Sequence, residues 1–285
     1  MRQLRYVLAD VFTASPLEGN QLAVFTDARG LAEGEMQRLA RETNLSETVF
    51  VLPAEQGGDA RIRIFTPAAE LQFAGHPTLG SAFVLGGPLQ LERLRLETGA
   101  GIVTVELERD GGRISFGRMA QPIPTFTPFA RADELLAALG VSRSELPVEE
   151  YDNGMRHVLV ALGSTGEVAA LDPDLSALAQ LVGTGGACCF AVDGERWKVR
   201  VFLPGAGIPE DPATGSAAGP LAVHLGRHGR VPFGTEIEIA QGAEILRPST
   251  LYAAAYGSGD EIERVEVGGR AVIVARGEFR LPSQD

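Results

Sequence analysis

A duplicated motif places a histidine in the first half of the chain where the second half has an aspartate. Residues 63–82 read RIFTPAAELQFAGHPTLGSA, and residues 200–218 read RVFLPGAGIPEDPATGSAA. Each copy begins with alternating arginine, phenylalanine and proline and ends in Pro-x-x-Gly-Ser-Ala, with His76 in the first copy matching Asp211 in the second. Repetition at this distance predicts two similar lobes. If the lobes face each other, the two unlike groups supply acid-base chemistry to one cleft.

Both copies have the composition of a helix entrance, with a proline directly after the titratable residue. Backbone N–H groups beside glycine and serine at such an entrance stay uncovered and attract anions. We therefore expect a carboxylate or similar anion at the second entrance, held by Thr214, Gly215 and Ser216. Pro220 predicts that this helix kinks or begins late, near Ser216. The alternative is that the glycines only permit close packing and that Asp211 only caps the helix.

Glu47 is a third candidate acid-base residue. It lies in the segment Asn-Leu-Ser-Glu-Thr, between an amphipathic helix and an apolar strand. A carboxylate against apolar walls at the mouth of a strand suits a general base. A solvated surface acid is the alternative interpretation of Glu47.

The remaining histidines and the cysteines do not form a recognisable site in the sequence. His157 is interpreted as structural. His224 and His228 have the i, i+4 spacing of metal ligands on a helix, but no third ligand is near them in the sequence, so we expect no metal. The adjacent Cys188 and Cys189 suit neither a disulfide nor a structural zinc site, and they are interpreted as small buried residues.

Composition restricts the partners and the chemistry. The chain has 285 residues, 45% of them hydrophobic, and a net charge of −12, which argues against nucleic acid and anionic membranes as partners. No apolar run approaches the roughly 18–20 residues that span a bilayer. The first residues, which include Asp10, are interpreted as a strand rather than a signal peptide, so a cytoplasmic location is expected. Without a GxGxxG, P-loop, GxSxG or HExxH motif, cofactor-free acid-base chemistry is the economical inference.

The elements that would position these groups are mostly strands. An amphipathic pattern predicts a helix over 31–43 that ends at Asn44. The almost uncharged segments 78–85 and 213–225 predict two helices buried nearly all round. We therefore predict an α+β fold in which each of two lobes is a curved β-structure around one apolar helix. The proline-rich stretch 117–130 is the expected linker between the lobes.

Four segments in this order resemble the PhzF family of phenazine-biosynthesis-like isomerases. They are DVFT with GNQLAV at 10–24, NLSET at 44–48, FAGHPT at 73–78, and PG with EDPATGSA at 204–217. The resemblance runs from residue 1 to about residue 280. It implies the fold of diaminopimelate epimerase, with a first lobe over 1–118, a second over 119–267, a strand over about 268–285 that returns to the first, and the active site in the cleft between the lobes.

The same resemblance implies the chemistry. The phenazine enzyme isomerises trans-2,3-dihydro-3-hydroxyanthranilate without a cofactor, and homodimers are usual. By the resemblance, Glu47 moves a proton between two ring carbons, while His76 and Asp211 contact the substrate and support the transfer. The expected site residues that hold the small anionic substrate are Asn20, Gly75, Thr214, Gly215 and Ser216.

Two alternatives stay open at this point. One is an amino-acid racemase or epimerase with two opposed bases, although the epimerases of this fold use two cysteines and neither cysteine here lies in an entrance motif. The other is a small-molecule-binding protein that kept the pocket without catalysis. Fold and type of site do not specify the substrate.

Overall fold

The computed structural model describes residues 1–282, which form two compact units. The first contains Met1–Met119 together with the segment that begins at Gly268, and the second contains Ala120–Val267. The chain therefore leaves the first unit and later returns to it. Among the described residues, every helix is too short or too polar to cross a membrane.

The first unit is a mixed sheet with two helices. Its strands are β1 (Arg2–Val11), β2 (Asn20–Phe25), β3 (Glu47–Leu52), β4 (Ala60–Phe65), β5 (Glu70–Leu71), β6 (Arg93–Thr98), β7 (Gly101–Asp110), the larger part of β8 (Arg113–Gln121), and β18 (Ala271–Leu281). Its helices are α1 (Glu33–Thr43) and α2 (Gly75–Leu89). Strand β1 pairs antiparallel with both β18 and β2, β2 pairs parallel with β3, and β3 pairs antiparallel with β4.

Helix α2 is the central element of the first unit. Every residue from Gly75 to Val84 is buried, and the helix packs against β1, β2, β6 and β7. A helix surrounded by sheet on all sides cannot carry charged side chains without a large desolvation cost, which explains why this segment has none. The helix predicted over 78–85 is confirmed, and it extends beyond that segment at both ends, from Gly75 to Leu89.

The second unit repeats this plan with more helices. Its strands are β9 (Thr125–Pro128), β10 (Glu149–Asp152), β11 (Arg156–Ala161), β12 (Gly186–Asp193), β13 (Arg196–Leu203), β14 (Ile208–Asp211), β15 (Ile237–Gln241), β16 (Ser249–Ser258) and most of β17 (Glu261–Gly269). Its helices are α3 (Ala132–Leu139), α4 (Thr165–Ala169), α5 (Leu175–Val182) and α6 (Gly215–Arg227), with 3₁₀ turns at Pro204–Ala206 and Ala243–Ile245. Strand β11 pairs parallel with β12, which pairs antiparallel with β13.

Helix α6 occupies the same central position in its own unit. Every residue from Gly215 to Leu225 is buried, and the helix packs against β16 and β11. It begins at Gly215, close to the late start near Ser216 that Pro220 predicted, and Pro220 lies inside it. The prediction of an apolar central helix in each lobe is confirmed.

The repeated arginine and phenylalanine of the motif build the same local structure in each unit. Arg63 on β4 makes a bidentate ion pair with Glu70 on β5, with N–O distances of 2.6 Å. Arg200 on β13 does the same with Glu210 on β14, at 2.9 and 2.7 Å. Each guanidinium also lies over the phenylalanine two residues later, at 5.2 Å and 4.9 Å from the ring centroid. The motif therefore fixes a short hairpin that leads toward each central helix.

The proline-rich stretch 117–130 is more ordered than a linker. Strand β8 continues to Gln121, and β9 pairs antiparallel with β10, with Phe126 opposite Tyr151. Proline at the edge of a strand is compatible with this pairing because the missing N–H faces away from the ladder. The boundary between the two units falls in this stretch, after Met119 and within β8.

Candidate active site

Glu47 is the first residue of β3 and is buried, with 7% of its surface exposed. Its position follows from the preceding turn, because Asn44 ends α1 in the left-handed conformation at φ 50° and turns the chain into the strand. In the parallel pairing of β2 with β3, Glu47 is opposite Leu22. A carboxylate held there by backbone pairing is positioned without relying on a flexible loop. The alternative of a solvated surface acid is wrong.

His76 lies beside this carboxylate within the same unit. Its Nε2 atom is 3.6 Å from Oε2 of Glu47, and its Nδ1 atom is 3.3 Å from Nδ2 of Asn20. Burial lowers the pKa of His76 to about 3, against an opposing hydrogen bond with the backbone of Gln21. The imidazole is therefore neutral at physiological pH, and Glu47 is its acidic neighbour.

The helix entrance in the first unit differs from the expectation by two residues. Ala74 is the N-cap of α2, so Gly75 and His76 are the first two helical residues and Pro77 is the third. Thr78 fixes this start, because its hydroxyl donates to the Ala74 carbonyl at 2.8 Å. Proline fits the third position because that N–H has no acceptor inside a helix in any case. His76 therefore points from the first turn rather than capping it.

Asp211 is the last residue of β14 and is also not a helix cap. Thr214 is the N-cap of α6, and its hydroxyl donates to Oδ2 of Asp211 at 2.6 Å. Gln241 connects the two residues: its Nε2 donates to the Asp211 carbonyl at 2.7 Å and to the Thr214 hydroxyl at 3.0 Å. Its Oε1 accepts from the Thr214 N–H at 3.1 Å. Gln241 is not among the site residues predicted from the sequence, because no local pattern shows that it contacts Asp211 and Thr214.

The first turn of α6 is held from behind by three buried side chains. Gln121 donates to the Gly215 carbonyl at 2.7 Å, and Asn153 donates to the Ser216 carbonyl at 3.0 Å. Nε2 of His157 is 2.9 Å from the Ser216 hydroxyl. Helix geometry leaves the N–H groups of Gly215 and Ser216 without an acceptor within the helix, as anion binding requires. His157, interpreted from the sequence as purely structural, thus contacts an expected binding residue.

The structure distributes the expected site residues over the two units. Glu47 and His76 are within contact distance of each other in the first unit, and Asn20 and Gly75 adjoin His76 there. Four others lie together at the start of α6 in the second unit: Asp211, Thr214, Gly215 and Ser216. Glu210, which precedes Asp211, is bound by Arg200 in the hairpin and has a structural role.

The expectation that His224 and His228 have no third ligand nearby is wrong. Glu149 on β10 brings a carboxylate to both, 3.2 Å from Nδ1 of His224 and 3.0 Å from Nε2 of His228. The three potential ligand atoms lie within 4.8 Å of one another. A ligand on a distant strand leaves no signal in the local spacing, so the sequence could not reveal it.

A protein cation already occupies this cluster. Nη1 of Arg227 lies 2.7 Å from Oε2 of Glu149 and 2.6 Å from the Tyr151 hydroxyl. The guanidinium lies 3.6 Å from the centroid of the Phe126 ring, and its Nε donates to Asp260 at 2.8 Å. Because these contacts hold the positive charge against Glu149, we interpret the cluster as a buried ion-pair network and not as a metal centre.

The two cysteines are buried on β12 and are free thiols. Burial raises the pKa of Cys188 to about 12 and raises the pKa of Cys189 further from its ordinary range. Neither thiol can exchange a proton readily near neutral pH. This agrees with their interpretation as small core residues and removes the thiol pair that a two-cysteine racemase needs.

A sequence model of the PhzC-PhzF family, the phenazine biosynthesis-like proteins, matches residues 9–277. The chain belongs to this family. It is 53% identical to the trans-2,3-dihydro-3-hydroxyanthranilate isomerase of Pseudomonas chlororaphis over 276 residues, which cover 97% of this chain and 99% of that relative. The resemblance to PhzF proteins that the four motifs indicated is confirmed.

Solved structures of PhzF family members and of racemases share the fold. A PhzF family protein from Bacillus anthracis superposes with a TM-score of 0.87 at 27% identity, covering 99% of this chain and all of that one. A probable proline racemase from Agrobacterium radiobacter reaches 0.70 at 13% identity, covering 98% and 93%. The second likeness concerns the fold alone. Together they confirm the predicted α+β fold of the diaminopimelate epimerase type.

Proposed function

We propose that the protein is a cofactor-independent isomerase that moves a proton between two carbons of trans-2,3-dihydro-3-hydroxyanthranilate or a closely related small carboxylate. The observation that carries the proposal is the buried Glu47 carboxylate beside a neutral His76. The 53% identical relative bears the name of this isomerase, and the identity extends over almost the whole chain. An isomerisation neither adds nor removes atoms. One carboxylate that takes up a proton and returns it is therefore sufficient for the chemistry.

Glu47 acts in this proposal as both base and acid. Its carboxylate takes a proton from one ring carbon, and the resulting carboxylic acid returns the proton to another carbon. General acid-base catalysis by one positioned side chain contributes about 10²–10⁴-fold to a rate. His76 is neutral, so it directs a hydrogen bond to the substrate or to Glu47 without adding a positive charge that would weaken the base.

The group at the start of α6 binds the substrate. The N–H groups of Gly215 and Ser216 and the Ser216 hydroxyl suit a carboxylate, which gains from the positive end of the helix dipole. Asp211 offers an acceptor to a hydroxyl or amino group, because Thr214 and Gln241 fix the orientation of its carboxylate and its backbone. This division assigns proton transfer to the first group and recognition to the second.

The family resemblance adds a homodimer to the proposal, and we also propose the cytoplasmic location that was expected from the sequence. Light scattering on the purified protein at several concentrations tests the first. Fractionation of cells that produce the protein tests the second.

The decisive experiment follows deuterium from solvent into product. The wild type, Glu47→Gln and the control Glu42→Gln are incubated in D₂O with trans-2,3-dihydro-3-hydroxyanthranilate. Glu42 is an exposed acid on α1, five residues from Glu47, so its variant controls for loss of charge alone. We expect turnover by the wild type and by Glu42→Gln, and a loss of at least about 10²-fold in Glu47→Gln with an unchanged melting temperature.

Each other outcome contradicts a definite part of the proposal. Normal turnover by Glu47→Gln removes Glu47 from the mechanism. Deuterium uptake at Cα with loss of optical activity, tested with a panel of chiral amino acids, establishes a racemase instead. Tight binding of the substrate without any turnover identifies a binding protein.

A further inference from the structure

Ser216 and His157 form a buried contact that the proposed chemistry does not yet use. Nε2 of His157 lies 2.9 Å from Oγ of Ser216, and the two residues are 0% and 3% exposed. His157 is on β11, which pairs with β12, whereas Ser216 is the second residue of α6. Two rigid elements therefore fix the distance, and the question is which atom donates the hydrogen.

The surroundings of the imidazole decide the direction of this hydrogen bond. Nδ1 of His157 is buried without a hydrogen-bond partner among residues 1–282. Gly186, opposite His157 in the pairing of the strands, packs so closely that an added Cβ atom would lie 2.8 Å from Nδ1. A hydrogen on Nδ1 would point into this apolar contact with no acceptor. The single proton of the neutral ring therefore belongs on Nε2, which donates to Ser216.

This direction leaves the hydroxyl hydrogen of Ser216 available for another acceptor. In the structure the hydroxyl donates to Sδ of Met155 at 3.6 Å. A thioether is a weak acceptor, and a carboxylate oxygen at the start of the helix would replace it with a much stronger, charge-assisted hydrogen bond. The Ser216 oxygen meanwhile stays satisfied by the imidazole behind it.

We infer that His157 is a positioning residue: it donates Nε2–H to Ser216 Oγ and thereby reserves the Ser216 hydroxyl hydrogen for an anionic group of the substrate. The inference rests on the proposed function in that the anionic group is the substrate carboxylate. It specifies that the Ser216 hydroxyl donates a hydrogen bond to the substrate. A free carboxylate would therefore accept a stronger hydrogen bond from the Ser216 hydroxyl than an uncharged group with fewer acceptor oxygens would. An ester of the substrate carboxyl group is such an uncharged group.

The same two residues have the composition of a serine nucleophile and its base, and the geometry argues against that role. A general base needs an unprotonated Nε2 and a partner on Nδ1 that orients the ring and stabilises the imidazolium. Here Nδ1 faces Gly186, and burial lowers the pKa of His157 to about 3, so the ring cannot accept a proton near neutral pH. Covalent labelling of Ser216 by a fluorophosphonate probe is therefore not expected, and labelling would overturn the inference.

The tautomer can be read directly, without reference to activity. The chain has four histidines, so the spectrum of protein labelled with ¹⁵N-histidine is simple, and His157→Gln identifies the His157 signals by their loss. We expect a protonated Nε2 and an unprotonated Nδ1 that do not change between pH 5.5 and pH 8. A hydrogen on Nδ1, or an imidazolium in that range, contradicts the inference.

A double-mutant cycle tests the consequence for binding. His157→Phe keeps the shape of the ring without the donor, His157→Gln keeps a donor near the position of Nε2, and Ser216→Ala removes the hydroxyl. His157→Phe removes the group that orients one hydrogen bond to the substrate. We therefore expect KM to rise about five- to tenfold in this variant, with kcat within about twofold of the wild-type value. His157→Gln should restore KM to within about twofold of the wild type.

The decisive comparison is made in the Ser216→Ala background, where His157→Phe should have no further effect. If His157→Phe raises KM by the same factor in both backgrounds, its effect is structural and the inference is wrong. If the wild type turns over no substrate, the proposed function fails, but the same cycle measured by calorimetric binding of anthranilate still tests His157. If the effects of His157→Phe and Ser216→Ala on anthranilate binding are simply additive, the inference is wrong, whatever the outcome for turnover.

Discussion

Nε2 of His76 lies 3.6 Å from Oε2 of Glu47, too far for a strong hydrogen bond and close enough to affect the charge on the carboxylate. Both side chains are buried, and burial holds the pKa of His76 at about 3. A protonated imidazole at this distance would stabilise the carboxylate anion and make Glu47 a weaker base. Burial of the histidine therefore keeps a positive charge away from the Glu47 carboxylate.

The first prediction concerns the pH dependence of turnover. Because His76 has lost its proton far below neutral pH, the plot of kcat against pH should show no inflection from His76 between pH 5.5 and pH 8. Wild type and His76→Gln are compared over this range. An inflection near pH 6.5 that is present in the wild type and absent in His76→Gln would show that His76 titrates during catalysis.

The second prediction concerns stability in acid. Burial lowers the pKa values of His76 and His157 to about 3 and of His224 to about 4. An unfolded histidine binds a proton near pH 6.5, so between about pH 6.5 and pH 4 the unfolded state holds more protons than the folded state. The free energy of unfolding should therefore fall as the pH falls through this window, by up to about 1.4 kcal/mol per pH unit for each histidine.

Urea unfolding at pH 7, 6 and 5 measures this slope, and His157→Gln should reduce it by the contribution of one proton. The Glu149 carboxylate also makes the free energy of unfolding fall as the pH falls, but in a more acidic range. Burial opposes its ionisation, but hydrogen bonds from His228, Arg227 and Tyr151 outweigh that and lower its pKa to about 2. Its stabilising effect is complete above about pH 4.5 and is lost as the pH falls toward 2. A free energy of unfolding that stays constant from pH 7 to pH 5 would contradict the prediction.

Third, the orientation of Asp211 should depend on the Thr214 hydroxyl. That hydroxyl donates to Oδ2 of Asp211 at 2.6 Å and accepts from Gln241 at 3.0 Å. Thr214→Val preserves the shape and removes both contacts, so kcat/KM should fall about tenfold. Thr214→Ser keeps the hydroxyl and should stay within about threefold of the wild type. Equal losses in the two variants would mean that the methyl group and not the hydrogen bond matters.

Much of the fold and site follows from local sequence patterns. The two uncharged segments could be predicted as central helices because a helix surrounded by sheet must be apolar on every side. Glu47, His76 and Asp211 could be singled out because a titratable residue beside an apolar strand or helix entrance is unusual. The left-handed Asn44 at the end of α1 also follows from a local preference.

What could not be predicted depends on contacts between residues far apart in sequence. The start of α2 was misplaced because Ala74 acts as its cap, whereas the proline rule favoured His76. Glu149 reaches His224 from a strand 75 residues away, and no spacing rule reports such a contact. In each case the residue has a contact in the tertiary structure that a rule based on local sequence cannot predict.

The last prediction follows from the relation between Asn153 and Pro220. In a regular helix the N–H of residue 220 would donate to the Ser216 carbonyl, and proline has no N–H. Nδ2 of Asn153 donates to that carbonyl at 3.0 Å instead, and so satisfies a buried acceptor next to the expected anion site. Asn153→Ala should therefore lower the free energy of unfolding by about 1–3 kcal/mol.

The compensating change is Pro220→Ala, which returns an N–H to the helix at the position that can reach Ser216. In that background Asn153→Ala should cost less, because the carbonyl keeps a partner. The 3.3 Å contact of Asn153 with Gln121 is lost in both backgrounds, and the small cavity left by proline is present in both variants that carry Pro220→Ala. Both effects therefore cancel in the double-mutant cycle, provided the variants unfold in two states. If Asn153→Ala costs the same with proline and with alanine at 220, then Asn153 stabilises the helix start through another contact and the carbonyl that Pro220 frees is satisfied elsewhere.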